Sequence, residues 1–570
     1  MAKWILQDFS EQAESDNSKI HPLVAKILRS RGILQEDDIE KFIFPEYERD
    51  TGDPFLFAHM EKAVVRIDQA HKNKESVAIF GDYDADGITA SAILKETFDS
   101  LGLSSMVYIP DKRSEGYGMN MEAIKMLGEK GVTLVVTVDC GITGLEEVIK
   151  GNELGIDFII TDHHHVPANV PPALAIINPH MENCGYPFSD LAGVGVAFKF
   201  AQAIFKRLME DKYEQTKWML DLVAIGTIAD CVPLVGENRL FAKYGLMVLA
   251  KTRRVGLREL FTVGRINIDE QNIPDAKKVS FYVAPRINAA GRINHANLAY
   301  DLVISKNPIE ARGFALELEE SNTKRQKMTE VAVNEIKILA DNMFKDKKLI
   351  FALGENFSIG IVGLVAGKIA QQYNKPTAVF QKGDTESKGS FRSIPQVNII
   401  ETIEECKEFL IKFGGHSQAA GVSVENNKLD AFFQKMNSLI EKKLEGIELG
   451  EEIVIDAKLS ADQMDFSLTE SLEKMEPFGE GNGEPIFLLE NMRIVEKKLV
   501  GTTAKHVKFS LVPTDGSPKI FDSISFNGAE KFSGLEIGDK LELVCTIKND
   551  EWNGNKKIQL TLLDARKIAE

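Results

Sequence analysis

Three aspartates at alternate positions, Asp82, Asp84 and Asp86, follow a short apolar run at residues 77–80 and precede Gly87. The run predicts a buried β-strand, and extended backbone places residues i, i+2 and i+4 on one side. Three carboxylates that converge repel one another unless cations lie between them. An acidic surface turn is the ordinary alternative, because Asp and Gly are common in turns. The pattern is therefore a candidate metal site that needs further ligands.

More carboxylates and imidazoles follow other apolar segments. They are Asp139 after residues 135–138, Asp162, His163 and His164 after residues 158–161, and Asp230 after residues 222–228. A helix cap, a surface turn or an isolated buried acid could explain each one alone, but not their joint pattern. Carboxylates with imidazole and no thiolate suit Mn²⁺ or Mg²⁺ better than structural zinc. Such a set can hold two ions ~3.5–4 Å apart, the arrangement of metal-assisted phosphoryl hydrolysis.

Length and composition limit the class of protein that carries this candidate site. The 570 residues are too many for one core and predict about three or four domains. A hydrophobic fraction of 44% and a charged fraction of 27% are typical of a soluble globular protein. The net charge of −17 argues mildly against an abundant, non-specific nucleic-acid coat protein, but it allows a local basic groove.

Targeting and redox signals are few. No apolar run approaches the ~18 residues of a membrane span, and the N-terminus turns polar too soon for a signal peptide. The five cysteines are scattered without a Cys-x-x-Cys pair, which indicates neither a disulfide framework nor a zinc ribbon. These features predict a cytoplasmic protein with no membrane association.

The elements that must position the acidic cluster come from strand–helix alternation. Strands are predicted at 77–80, 106–109, 133–138, 157–161 and 174–177. Alternation of this kind predicts a mostly parallel sheet with helices on both faces, whose ligands lie at the carboxyl ends of the strands. The whole chain divides into a leader (1–60), this catalytic domain (61–310), a connector helix (311–345), a second α/β domain (346–447) and a small β-barrel (448–570).

Several of these motifs resemble those of a known protein family. Asp84-Ala85-Asp86, Asp139 and Asp162-His163-His164 are similar to the motifs of the DHH phosphoesterases, and within them to a branch of bacterial single-strand-specific 5′→3′ DNA exonucleases. The resemblance runs nearly end to end. Its other motifs are His21-Pro22 with Arg31-Gly32-Ile33, residues 81–87, 115–118, 226–230 and 285–292, Gly414-Gly415-His416 with Ala419-Ala420-Gly421, and residues 477–482. The family often has histidine where this chain has Phe80, so Asp82 is expected to help hold the first metal instead.

The resemblance implies a fold and a reaction. The fold is α/β: a parallel-sheet DHH domain, a long connector helix, a second α/β DHH-associated domain and a C-terminal OB-fold barrel. The reaction is two-metal hydrolysis of single-stranded DNA from its 5′ end to 5′-mononucleotides, in DNA repair and recombination. One ion would be held by Asp86, Asp139, His163 and Asp230, and the other by Asp84, Asp139 and Asp82, while His164 would orient the site or contact phosphate.

Substrate-binding residues are predicted on both α/β domains. Guanidinium forks suit phosphate, small residues allow close approach, and a helix that begins near Ser358 offers a phosphate site. In the second domain, the resemblance implies that Ser390 and Arg392 grip phosphate and that His416 contacts the scissile region. The full set is Arg113, Tyr117, Arg286, Asn288, Arg292, Ser390, Arg392 and His416.

The barrel carries a basic patch near three phenylalanines, a combination with which OB-folds hold single strands. The patch is Arg493, Lys497, Lys498, Lys505, His506 and Lys508, near Phe509, Phe521 and Phe526, most of which are expected to be core. The implied partners are single-stranded DNA, a single-strand-binding protein and a helicase, and the enzyme is expected to be a monomer.

Three other functions stay open at this stage. The first is a DHH-class phosphodiesterase that acts on short oligonucleotides or small nucleotides, against which the barrel and residues 285–288 argue. The second is a nucleic-acid-binding scaffold without metals, against which the intact acidic set argues. The third is a non-catalytic replication partner. Cleavage of long single strands compared with dinucleotides separates the first from an exonuclease.

Overall fold

The computed structural model describes residues 2–7, 19–112, 114–116, 118–447, 449–552 and 555–568. The chain forms two compact units. The larger unit comprises residues 53–232 and 244–450, and the smaller comprises residues 1–52, 233–243 and 451–570. No helix among the described residues has both the length and the apolar character needed to cross a membrane.

The larger unit contains two sheets and most of the helices. Its strands are Ser76–Gly81, Ser105–Tyr108, Val132–Val138, Asp157–Thr161, Ala175–Ile177, Ile350–Gly354, Thr377–Lys382, Glu386–Arg392, Leu410–His416 and Ala419–Glu425. Its helices of four or more residues are Met60–Asn73, Ala85–Leu101, Met121–Glu129, Leu145–Glu153, Gly193–Leu208, Glu210–Met219, Leu220–Ala229, Val255–Val263, Val279–Val283, Ala284–Ile293, Asn297–Ile304, Pro308–Met343, Ile359–Tyr373, Ile399–Glu404 and Leu429–Lys443. The helix Gly236–Ala250 crosses the boundary between the units.

The first sheet has five parallel strands. Ser76–Gly81, the first of them in the chain, lies between Ser105–Tyr108 and Val132–Val138. The chain therefore reverses its direction of travel across the sheet next to Ser76–Gly81, and such a switch point opens a crevice at the carboxyl ends of the strands. The acidic residues at 82–86 and at 139 follow the two strands that flank this crevice.

The sequence predicted all five strands of this sheet to within one residue at each end. The sequence did not predict that a helix precedes Asp230. The apolar segment 222–228 lies in the helix Leu220–Ala229, and Asp230 is the residue that caps its C-terminus. The helix is buried on all sides, so its residues show no amphipathic period that could distinguish it from a buried strand.

A single long helix leads from the first sheet to the second. Pro308–Met343 has 36 residues, which corresponds to a length of about 54 Å. It covers residues 311–343 of the connector helix predicted at 311–345, and Asn307 caps its start through a side-chain oxygen that accepts from Ile309 N. The second sheet has the strand order Leu410–His416, Ala419–Glu425, Glu386–Arg392, Thr377–Lys382, Ile350–Gly354 and is antiparallel except for its last pair.

The smaller unit is built on a six-stranded barrel-like sheet. Its strands are Ala457–Leu459, Phe487–Val500, His506–Pro513, Phe521–Ser525, Lys540–Trp552 and Asn555–Lys567, with a separate parallel pair of Lys3–Leu6 and Glu452–Ile455. Its described residues also form helices at Pro22–Ser30, Glu36–Ile43, Tyr47–Asp50 and Phe466–Glu473.

The N-terminal helices share one hydrophobic core with this barrel. Ile27, Leu28 and Phe42 pack in the same buried cluster as Phe509 and Phe521. Arg31 strengthens the join, because its guanidinium donates to Asp456 Oδ1 at 3.2 Å and to Gly483 O at 2.7 Å. The leader therefore packs as part of the C-terminal unit, a long-range pairing for which the sequence carried no signal.

Candidate metal centre and substrate cleft

The loop that follows the strand Ser76–Gly81 is held by its own aspartates. Asp84 is the N-cap of the helix Ala85–Leu101, and its Oδ1 accepts from Asp86 N at 2.9 Å and from Gly87 N at 3.2 Å. Asp82 and Asp86 are buried, at 3% and 1% exposure. The alternate spacing therefore produces one capping carboxylate beside two buried ones.

A second helix begins against Asp86. Backbone amides of the first turn of Gly193–Leu208 donate to this carboxylate, from Gly193 N to Oδ2 at 2.7 Å and from Val194 N to Oδ1 at 2.8 Å. The positive end of the helix dipole favours an anion here. The approach is close enough that a Cβ at position 193 would lie 2.4 Å from Asp139 Oδ1. Only glycine fits between the two carboxylates.

Asp139 follows the strand Val132–Val138 in an unusual conformation. Its φ of 58° lies in the left-handed region, which non-glycine residues rarely occupy. The backbone is held there by the hydrogen bond from Asp139 N to Thr161 O at 3.0 Å. Backbone strain of this kind persists where the surrounding structure over-determines it, commonly at functional sites. In this conformation the Asp139 carboxylate lies beside those of Asp82 and Asp84.

The His163–His164 pair is anchored by Asp162. Asp162 Oδ1 accepts from His163 N at 2.7 Å and contacts His164 Nδ1 at 2.7 Å, while Oδ2 accepts from Ile142 N at 2.9 Å. These donors hold the pKa of Asp162 below its usual range despite full burial. With its carboxylate occupied in this way, Asp162 positions the two imidazoles.

The predicted ligands converge in three overlapping groups whose ligand atoms lie within 4.8 Å of one another. The groups are Asp82, Asp84 and Asp139; Asp86, His163 and Asp230; and Asp139, His163 and His164. His163 Nε2 lies 3.1 Å from Asp139 Oδ1 and 3.6 Å from Asp230 Oδ2. All seven residues predicted to be catalytic are therefore brought together, with Asp139 and His163 shared between groups.

Electrostatics at this cluster are strongly unfavourable for the protein alone. Burial, with the neighbouring carboxylates, raises the pKa values of Asp82, Asp139 and Asp230 well above their usual range. Burial and Asp84 raise the pKa of Asp86 to about 7. Burial and His164 lower the pKa of His163 to about 3, which leaves its imidazole neutral. Asp82 Oδ1 is buried with no hydrogen-bond partner among the described residues. Oxygen ligands that lack compensating charge, beside a neutral imidazole, fit hard divalent cations.

Three of the side chains predicted to bind phosphate, Arg292, Ser390 and Arg392, converge nearby. Arg392 Nη1 donates to Ser390 Oγ at 2.9 Å. Both side chains lie over the first turns of the helix Ile359–Tyr373, where a Cβ at Gly363 would be 3.1 Å from Arg392 Nη2 and 3.2 Å from Ser390 Oγ. Arg292, from the first domain, donates to Gly360 O at 3.2 Å on the same turn. Burial and the nearby charge of Arg292 lower the pKa of Arg392.

Two other predicted residues have different contacts. Asn288 Oδ1 accepts from Ala85 N at 2.7 Å, so this side chain braces the metal-binding loop. The Arg286 guanidinium is buried and donates to Glu319 Oε2 at 2.5 Å and to Tyr282 O at 2.7 Å. These contacts brace Arg286 against the connector helix, and its predicted phosphate contact stays a prediction.

His416 completes the side of the cleft that the second domain provides. It ends the strand Leu410–His416, and its ring lies 5.8 Å from the ring of His165, which in turn lies 5.0 Å from that of His180. Arg113 and Tyr117, the remaining predicted substrate-binding residues, lie outside the described residues.

Sequence reasoning missed Lys112. Its ammonium lies 4.4 Å from the ring centroid of Tyr83. Burial, with the charge of Arg292, lowers the pKa of Lys112 to about 8, although Asp82 and Asp84 oppose the shift. It follows the strand Ser105–Tyr108, which ends at the same edge of the sheet as the acidic loop. Its position shortly after a predicted strand could have indicated that Lys112 lies near the acidic loop.

Known proteins match this architecture domain by domain. Models of the DHH family N-terminal domain, the DHHA1 domain and the RecJ OB domain match residues 76–227, 345–442 and 455–564. The single-stranded-DNA-specific exonuclease RecJ of Bacillus subtilis is 34% identical over 99% of this chain and 70% of the relative. That of Haemophilus influenzae is 31% identical over 95% of both chains.

A solved structure shows the same fold. The crystal structure of RecJ from Thermus thermophilus in complex with Mn²⁺ matches all of this chain and 80% of its own, with a TM-score of 0.84 and 26% identity. The corresponding complex with Mg²⁺ matches with a TM-score of 0.77 and 25% identity. The predicted fold class is confirmed.

Proposed function

Because the chain belongs to the RecJ family of single-stranded-DNA-specific exonucleases, we propose that it hydrolyses single-stranded DNA from the 5′ end to 5′-mononucleotides, with two Mn²⁺ or Mg²⁺ ions. The observation that carries this proposal is the convergence of Asp82, Asp84, Asp86, Asp139, His163, His164 and Asp230 within one buried cluster. A role in DNA repair and recombination follows from the family.

The ligand division is part of the proposal. Asp82, Asp84 and Asp139 would hold one ion, and Asp86, His163 and Asp230 the other, with Asp139 shared. The three groups described above support this division. The raised pKa values of the buried carboxylates support it as well, because cations would restore their ionised form. When bound, two such ions would polarise the phosphodiester and lower the pKa of a bound water molecule, so that hydroxide is available at neutral pH.

The chain's own residues orient the reacting groups. The Asp162 carboxylate contacts Nδ1 of His164, so the other ring nitrogen of His164, Nε2, is available to the metal centre. Asn288 and the amides of Gly193 and Val194 hold the loop and Asp86 in place, which limits reorganisation during the reaction. Lys112 lies beside Asp82 and Asp84, where its charge can offset that of a phosphate.

Residues of both α/β domains would hold the substrate. Arg292, Arg392 and Ser390 would bind the phosphate at the 5′ end, above the N-terminus of the helix Ile359–Tyr373. His416 would contact the scissile region. Recognition of one terminal phosphate by convergent cations gives a reason for starting at the end of a strand.

We infer a cytoplasmic monomer that cooperates with a single-strand-binding protein and a helicase. The five free cysteines agree with a reducing compartment. The exposed Phe526, with Lys505 and Lys508 on the OB domain, suits contact with a strand.

The test compares four substrates in Mn²⁺ or Mg²⁺, with products sized. Three are 5′-phosphorylated: a long single strand, the same strand in a blunt duplex, and a linear dinucleotide. The fourth is a cyclic dinucleotide, which has no 5′ end. Rapid release of mononucleotides from the long single strand, and slow release from the duplex, is the expected result. Preference for either small substrate would favour the small-nucleotide phosphodiesterase. Asp139→Ala is the matched inactive control, because it removes a shared ligand at the carboxyl edge of the sheet.

A further inference from the structure

Three imidazoles lie together at the cleft, beside the two-ion centre. The ring centroid of His165 lies 5.0 Å from that of His180 and 5.8 Å from that of His416. His165 and His180 belong to the first α/β domain, whereas His416 ends the strand Leu410–His416 of the second. His165 and His180 have no part in the proposed hydrolysis, so their contact with a residue across the cleft needs a separate explanation.

The spacing of the rings fits imidazoles that share one metal ion. A Zn²⁺–nitrogen bond of about 2.0–2.1 Å places a ring centroid ~3.2 Å from the ion, so two rings at the tetrahedral angle have centroids ~5.2 Å apart. The observed separations, 5.0 and 5.8 Å, lie on either side of this value. The nitrogens of the three rings are further apart than those of the two-ion groups, so binding of an ion requires side-chain rotation. His165 and His416 are exposed, and exposed side chains change rotamer rapidly.

A buried amide fixes the position of His180. The fully buried Asn178 accepts from His180 N at 2.8 Å and donates from its Nδ2 to His164 O at 2.9 Å. This side chain therefore joins the segment that carries His180 to the segment that carries His164 and His165. Asp190 is close enough to His180 to oppose the fall in its pKa that burial causes. Histidines that bind metals commonly have such a carboxylate neighbour, which orients the ring.

The ligand chemistry of this cluster differs from that of the two-ion centre. Imidazole nitrogens without carboxylates suit Zn²⁺ and similar transition-metal ions better than Mg²⁺ or Mn²⁺. Metal ions bind the neutral imidazole. Burial, with the charge of neighbouring histidines, lowers the pKa values of His180 and His416, which favours that form. Three histidines with an open fourth position are a common set of zinc ligands.

We propose that His165, His180 and His416 form a third metal site, which binds Zn²⁺ and closes the cleft to single-stranded DNA. An ion shared by these rings ties the second domain to the first at the end of the strand Leu410–His416. It also withdraws His416 from the substrate. Zn²⁺ then inhibits beside the catalytic Mn²⁺ or Mg²⁺ ions and does not replace them. The inhibitory part of this inference rests on the proposed function, whereas the binding part does not.

The first test measures metal binding without a nuclease assay. Protein saturated with Mn²⁺ is titrated with Zn²⁺ by calorimetry, and released Mn²⁺ is followed by electron paramagnetic resonance. We expect one Zn²⁺ to bind without release of Mn²⁺. His180→Gln should weaken this binding by at least ~100-fold, because loss of an outer-shell partner alone already costs ~10–100-fold.

His71→Gln is the matched control for the binding test. His71 lies on the helix Met60–Asn73 beside Gly102, which precedes the strand Ser105–Tyr108 and so lies at the opposite edge of the first sheet. This variant should bind Zn²⁺ as the wild type does. Equal binding by His180→Gln and His71→Gln, or release of one Mn²⁺ for each Zn²⁺ bound, would overturn the site.

The second test measures inhibition. Release of mononucleotides from a 5′-phosphorylated single strand is followed in saturating Mn²⁺ over a series of Zn²⁺ concentrations. His180→Gln should keep the wild-type rate without Zn²⁺, and at least ~10-fold more Zn²⁺ should be needed to halve that rate. His165→Gln, which removes a second ligand of the same cluster, should give the same shift. Equal sensitivity of the wild type and both variants, or full activity of the wild type with the third ion bound, would overturn the inhibitory role.

The metal site and the proposed exonuclease fail in different ways. If Zn²⁺ binds as expected but no mononucleotides are released even without it, the proposed function and the inhibitory role are wrong and the metal site stands. If mononucleotides are released and Zn²⁺ binding does not depend on His180, the proposed function stands and the metal site is wrong.

Discussion

Gly193 offers the most direct test of how the metal centre is assembled. This residue begins the helix Gly193–Leu208, donates its amide to Asp86 and leaves room for Asp139. In Gly193→Ala, the new Cβ would lie 2.4 Å from Asp139 Oδ1 and 2.6 Å from its Cβ. Ordinary contacts begin at 3.4 Å, so the carboxylate or the helix must move by about 1 Å.

The cost of that shift falls on catalysis more than on folding. A displacement of ~1 Å at a reacting centre can cost ~100-fold in rate, which is about 2.7 kcal/mol of transition-state stabilisation. The backbone at position 193 has an ordinary φ, and alanine is a better helix former than glycine by up to ~1 kcal/mol. We therefore expect kcat to fall by about 100-fold at saturating Mn²⁺, with little change in thermal stability.

Gly195→Ala is the matched control. It is the same substitution two residues further along the same helix, where the new Cβ would meet the flexible Leu191 side chain at 3.2 Å. The assay is mononucleotide release from a 5′-phosphorylated single strand, with an Mn²⁺ titration of each variant. If Gly193→Ala has a near-wild-type kcat, or if the two variants lose activity equally, the close approach of this helix does not position the carboxylates.

The remaining predictions concern other parts of the chain. Arg392→Ala should slow cleavage of 5′-phosphorylated strands more than 5′-hydroxyl strands, because a terminal phosphate carries more negative charge than an internal one; an equal fractional loss would exclude an end-binding role. Lys505→Ala with Lys508→Ala should weaken binding of a long strand and reduce the slope of log K against log salt by about 1.4, as expected when two phosphate contacts are lost; an unchanged slope would exclude them. Arg254→Met should destabilise the fold by about 3–5 kcal/mol, because it leaves the buried Asp221 carboxylate without the guanidinium that lies 3.1 Å from it. Asp221→Asn added to Arg254→Met should restore part of the loss in chemical denaturation, and no recovery would show that the pair is not coupled.

Variants of the barrel are better tested by point substitution than by truncation. Val24, Leu28 and Ile39 belong to the same buried cluster as the barrel residues Leu511 and Leu543. Removing residues 451–570 would expose this surface of the N-terminal helices. The loss of function would then report disrupted folding instead of a lost DNA contact.

Much of the catalytic half could be predicted from local pattern. The apolar runs of the first sheet are short and bounded, and each of its predicted strands is present. Alternation of strands and helices predicts a parallel sheet, and carboxyl ends of parallel strands meet at one edge. The sequence alone therefore predicted that Asp82, Asp84, Asp86, Asp139 and His163 would converge.

Tertiary packing decided what local pattern could not. Arg286 and Arg292 lie in one short motif, yet one guanidinium pairs with Glu319 and the other reaches Gly360, because they leave the helix on different faces. The pKa of Lys112 is lowered because the fold buries the ammonium and brings the Arg292 guanidinium beside it, against the opposing effect of Asp82 and Asp84.

The sequence by itself determined the chemistry of the site, since residue types and strand ends are local properties. The tertiary structure decided the partners of each side chain. The N-terminal helices pack with a barrel more than 400 residues later in the chain. Asp139 adopts a left-handed conformation, which aspartate takes more readily than most residues but still only in a minority of cases. Both features depend on contacts between segments that are distant in the chain. These contacts can offset the lost conformational entropy and the backbone strain only once the core has formed.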